Sequence, residues 1–97
     1  MKNEPLTDVE RKPGRTKYTC GPVVYIEAEA GATLADHIHD EPEKLWIISG
    51  KGEFLVGDKT HKFEGPCILE VPGGIYHKFM PETDVNFIEQ RSFEEKA

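Results

Sequence analysis

His37-Ile38-His39 sets two imidazoles two positions apart. In an extended strand, residues i and i+2 project from the same face. Two neutral ring nitrogens side by side can bind one transition-metal ion. Glu43 follows past Pro42 and an expected bend, where a carboxylate at the start of the next strand can swing onto the same ion. His77 stands far downstream, between Gly74 and Phe79. Three of the four histidines are therefore candidates for a single site. The fourth, His61, lies in the charged run Lys59-Thr60-His61-Lys62 and reads as a surface residue.

These residues need strands to hold them. Between Tyr18 and Arg91 the chain reads as short β-branched and aromatic runs cut by glycine and proline. The expected strands cover Val23 to Ala28, Leu34 to His39, Leu45 to Ile48, Glu53 to Val56, Thr60 to Phe63, Cys67 to Val71, Ile75 to Met80 and Val85 to Arg91. Ser49-Gly50-Lys51-Gly52, Gly57-Asp58-Lys59 and Pro72-Gly73-Gly74 supply turns between them. Turn signals recurring at this short spacing belong to an all-β sandwich or small barrel. No segment shows a helical period. Residues 1–17 read as a polar N-terminal arm holding at most an edge strand, 18–91 as the barrel domain, and 92–97 as a charged tail.

The spacing of the histidine set resembles that of the cupin superfamily. The first cupin motif is a glycine, five residues, H-x-H, three or four residues, Glu, six residues and a glycine. Gly31, His37, His39, Glu43 and Gly50 match it at every fixed position. The second motif is a glycine, five residues, P-x-G, two residues, His, three residues and Asn. Pro72, Gly74 and His77 match in type and spacing. Two positions depart: six residues separate Gly65 from Pro72, and Pro81 stands where the asparagine is expected. The shifted glycine touches a turn, and the asparagine is not among the family's usual ligands.

The resemblance implies a double-stranded β-helix, or jelly-roll barrel, of the small single-domain kind. It also implies that His37, His39, Glu43 and His77 hold one divalent ion. Three imidazoles and a carboxylate leave one or two positions open on an octahedral ion, for water or substrate. Mn, Fe, Ni, Co, Cu and Zn all accept this donor set. Alternation puts Leu45 and Ile47 on the Glu43 face and Phe79 on the His77 face, as dry walls. Tyr25, Phe54, Phe79 and Arg91 are candidate substrate contacts, Arg91 for a carboxylate. Trp46 and Tyr76 fall out of phase with the ligands and belong on the outer face or at a subunit contact.

Twelve Lys and Arg against eighteen Asp and Glu give a net charge of -6, which disfavours nucleic acid and anionic membrane as partners. The longest apolar run, Leu45 to Ile48, is far short of a bilayer span. Cys20 and Cys67 suggest no disulfide framework and fit a cytoplasmic protein with reduced thiols. A domain of 97 residues buries a modest share of its surface, and an apolar outer face would favour a homodimer. The expected function is a metal-dependent enzyme on a small polar substrate, of dioxygenase, isomerase, decarboxylase or lyase type. The alternative is a module of the same fold that binds or senses a small ligand without changing it.

Overall fold

The computed structural model describes residues 1–38 and 40–91, with side chains at 1–34 and 40–90. The described residues form ten strands and no helix: β1 (Val9–Lys12), β2 (Arg15–Cys20), β3 (Val23–Ala28), β4 (Leu34–Ile38), β5 (Glu43–Ser49), β6 (Lys51–Val56), β7 (Lys59–Glu64), β8 (Cys67–Val71), β9 (Tyr76–Pro81) and β10 (Val85–Arg91). Two antiparallel sheets result, one of six strands in the order β1-β2-β3-β10-β5-β8 and one of four in the order β4-β9-β6-β7. From β3 onward the chain alternates between the sheets except at the β6–β7 hairpin, as in a jelly roll, and the expected all-β class holds.

Period-two burial shows which face each strand turns inward. On β3, Val24, Ile26 and Ala28 are buried; on β10, Val85, Phe87 and Glu89; on β5, Glu43, Leu45 and Ile47; on β9, His77, Phe79 and Pro81. The inner faces meet through Phe79, 1% exposed. Its ring lies 5.0 Å from Phe63, 5.9 Å from Phe54 and 4.6 Å from Phe87. Offset and tilted ring pairs at such separations add to the area each ring buries.

Chain reversals sit where the motif glycines stand. Gly50 has φ of +100°, and a Cβ there would collide with the Asp84 carbonyl oxygen and the Val85 side chain. Only glycine meets both demands, so β5 can turn into β6 beneath the start of β10. Pro81 closes β9, and its carbonyl accepts a hydrogen bond of 2.9 Å from the Gly31 amide. That bond ties the start of the first motif to the end of the second.

The boundary expected between residues 17 and 18 falls inside β2. β1 and β2 form a hairpin added to the six-stranded sheet along β3, so the arm is structural from Val9 onward. The tail, 92–97, lies outside the described residues. Cys20 and Cys67 are free thiols on β2 and β8, four strands apart in one sheet.

Candidate metal centre

Three of the four expected ligands lie on strands: His37 on β4, Glu43 on β5 and His77 on β9. β4 and β9 pair antiparallel with His37 opposite His77. The register depends on a bulge: Leu34 faces Phe79, and one extra residue of β4 is accommodated before His37. A bulge of this kind re-aims the residues that follow it. The side chain of His37, and His39 entirely, lie outside the described residues. Glu43 and His77 are both 2% exposed. Among the described residues no three His, Cys, Asp or Glu side chains stand together as a metal-holding group.

Glu43 and His77 approach to 4.0 Å, His77 Nε2 to Glu43 Oε2. This is too long for a hydrogen bond. Two coordinate bonds of about 2.1 Å each can span it, so the pair fits a shared ion. The other ring nitrogen supports that role. His77 Nδ1 donates a long hydrogen bond, 3.4 Å, to the Ile75 carbonyl in the tautomer protonated at Nδ1. That tautomer leaves the Nε2 lone pair facing Glu43, the arrangement that orients metal-binding imidazoles. Phe54 lies across the His77 ring at 5.8 Å between centroids.

A cavity of about 140 Å³ opens over this pair, lined by Ile26, Leu34, Leu45, Phe54, Phe79 and Phe87 as apolar wall and by Arg15, Lys17, Glu43, His77 and Glu89 as polar groups. It has room for several waters or one small ligand. The expected wall residues Phe54, Phe79 and Leu45 are in place; Ile47 is buried in the core beside it.

Tyr25 departs from expectation. It sits on the face opposite Val24 and Ile26, stacks on Tyr18 at 5.7 Å and does not line the cavity. Partial burial pushes its phenol pKa above the ordinary value, with Glu27 and Tyr18 adding to the effect. Arg91 pairs through its backbone with Glu43, and its side chain lies outside the described residues. Trp46 is 39% exposed on the outer face, and Tyr76 is half-buried.

Three polar residues of the cavity were not singled out by the sequence reading: Arg15, Lys17 and Glu89. The signal for Glu89 was present, since Val85, Phe87 and Glu89 alternate on one face of β10. For Arg15 and Lys17 it appears only through pairing: they stand opposite the buried Ala28 and Ile26 of β3.

No family model matches the sequence. Among curated proteins, the chain is 36% identical over 59 residues to acireductone dioxygenase of Puccinia graminis f. sp. tritici, covering 55% of this chain and 32% of that protein. It is 29% identical over 96 residues to acireductone dioxygenase 4 of Oryza sativa subsp. japonica, covering 88% of this chain and 51% of that protein. The chain thus spans about a third of the first relative's length and about half of the second's. Among solved structures, the RmlC-like cupin from Shewanella frigidimarina superposes with a TM-score of 0.78 at 18% identity, over 93% of this chain and 86% of that one. With two antiparallel sheets packed around a buried histidine and glutamate, the chain has the fold of such cupin structures.

Proposed function

We propose that this chain is a metal-dependent cupin enzyme of dioxygenase type, acting on a small keto or enediol substrate, with His37, His39, Glu43 and His77 as the ligands of one divalent transition ion. The observation that carries the reading is the buried Glu43–His77 approach of 4.0 Å at the floor of a cavity, with His37 in register opposite His77. The relatives named acireductone dioxygenase support the reaction type. An ion held by these residues would supply Lewis acidity for a carbonyl or enediol and a site for dioxygen.

The chain's own residues do the rest. The Ile75 carbonyl favours the His77 tautomer protonated at Nδ1, with the Nε2 lone pair toward Glu43. Phe54, Phe79 and Phe87 keep bulk water from the substrate and strengthen every charge interaction in the cavity. Glu89, a buried carboxylate outside the proposed ligand set, is placed to take a proton from the substrate.

Tag-free protein is expected to carry about one ion per chain and, loaded with Fe(II) or Ni(II), to consume dioxygen when given an enediol. Protein that demonstrably holds its ion but turns over no keto, enediol or sugar substrate would favour the ligand-binding module instead.

The same reading includes a homodimer. Tyr18, Tyr25, Ile88, Trp46 and Ile68 occupy successive paired positions across the outer face of the six-stranded sheet. Ile48, Ile68 and Trp46 there are 52%, 50% and 39% exposed, an apolar surface suited to a second copy. Light scattering should read twice the chain mass of 11.0 kDa; a monomer at micromolar concentration removes this part.

A further inference from the structure

We propose that Arg15 and Lys17 form an anion subsite in the cavity, so that the substrate is a small acid whose free carboxylate or phosphate lies away from its reacting end. The orientation of that substrate rests on the metal reading above; the subsite itself does not.

Both cations come from β2, the inner strand of the added hairpin. Their register partners on β3, Ala28 and Ile26, are buried, so Arg15 and Lys17 share the inward face and both line the cavity. The Arg15 side chain is only 18% exposed and Lys17 is half-buried. Long cationic side chains rarely turn inward without an anion to meet. Glu10 on β1 meets only part of this demand. It pairs with Arg15 Nη2 from a half-exposed position and also lies 3.5 Å from Lys12. Arg15 Nε is buried and takes no hydrogen bond among the described residues. A guanidinium held at one edge, with a second donor still open, is poised for the forked contact that carboxylates and phosphates make.

The charge pattern agrees. Arg15 and Lys17 balance Glu43 and Glu89 among the cavity's charged side chains. A divalent ion at Glu43 and His77 then leaves a surplus of two positive charges, which a doubly charged anion neutralises. The two poles are also separated. β2 and β5 are three steps apart in the six-stranded sheet, about 14 Å measured along it at about 4.8 Å per strand. Between them lie Ile26 of β3 and Phe87 of β10, which suit a short carbon chain. A substrate anchored at the basic pole would present its other end to Glu43 and His77.

The test compares glutarate, 4-phosphonobutanoate and pentanoate, five-, four- and five-carbon acids that share one carboxylate and differ at the far end. Calorimetry would follow each with the parent, Arg15→Gln, Lys17→Gln and Arg15→Lys, both Ni(II)-loaded and metal-free, with metal content and melting temperature measured for every sample. The parent should bind glutarate or the phosphonate at least about ten-fold more tightly than pentanoate, the better of the two naming the anion. Each Gln variant should bring that ratio within about three-fold of unity with metal content unchanged, and Arg15→Lys should keep part of it. No preference in the parent, or a preference that survives both Gln substitutions, overturns the proposal. If Arg15→Gln fails to fold, Lys17→Gln and Arg15→Lys decide. A parent that holds no ion yet prefers glutarate sinks the metal reading and leaves the subsite standing; one that holds the ion without preference does the reverse.

Discussion

His37 and His77 stand opposite each other in the β4–β9 ladder, although the chain between them builds four further strands. Backbone hydrogen bonding therefore fixes the distance between these two positions, and the loops have no part in it. If both residues bind the proposed ion, their backbones are already positioned by the ladder, which lowers the cost of assembling the site.

The first prediction concerns those ligands. His77→Ala and Glu43→Gln should each weaken ion binding by at least about 100-fold, more than the loss typical of removing a group that merely supports a ligand. Elemental analysis after dialysis reads the effect directly, and retention of a full equivalent by either variant would remove the residue from the ligand set.

Glu89 should behave differently. Glu89→Gln keeps the shape and polarity of a buried side chain but cannot accept a proton. Metal content should be unchanged, while turnover on the identified substrate should fall by about 10²–10⁴-fold, the usual range for a lost general base. A variant with parental turnover would show that Glu89 only shapes the wall.

Phe79 links the two sheets through three ring contacts. Phe79→Ala should cost about 3–5 kcal/mol, from lost burial and the cavity left behind. Urea unfolding with an unchanged slope would report it. A loss under about 1 kcal/mol would mean that the surrounding rings collapse into the gap.

Tyr25 gives the pH dependence. Its phenol pKa is raised in the folded protein, chiefly by partial burial, so folding favours the protonated form. The stabilisation is full below the unfolded value near about 10 and is lost as pH rises through the higher folded value. Melting temperature should therefore fall as pH rises above about 10 in the parent, and Tyr25→Phe should flatten that fall. An identical profile in the variant would assign the titration elsewhere.

Much of this architecture was legible from residue order. β3, β8 and β10 begin and end where turn residues and β-branched runs placed them, and the motif spacing pointed to one centre built from distant strands. What escaped has identifiable causes. Val23-Val24-Tyr25-Ile26 is all strand-forming, so it carries no polar contrast to say which face Tyr25 takes. The bulge in β4 leaves no mark in composition, yet it sets the register that brings His37 opposite His77. Arg15 and Lys17 fall in the segment that reads as a polar arm, with nothing local to mark an inward face. Only their partners on β3 reveal that they turn inward, and pairing is a long-range fact that local sequence does not contain.

Gly50 gives a further check on that register. Gly50→Ala would place a methyl group against the Asp84 carbonyl and Val85 at a positive φ. The backbone conformation alone costs about 1–2 kcal/mol, and the collision adds to it. The melting temperature should drop by at least about 5 °C, and a variant as stable as the parent would mean that the β5–β6 turn relaxes freely.

The hairpin of β1 and β2 joins the barrel along one ladder, β2 with β3, while His37, His77 and Glu43 lie on other strands. If Arg15 and Lys17 select the ligand as proposed, exchanging residues 9–20 for another two-stranded ribbon should change what the protein accepts while His37, Glu43 and His77 keep their places in the other strands.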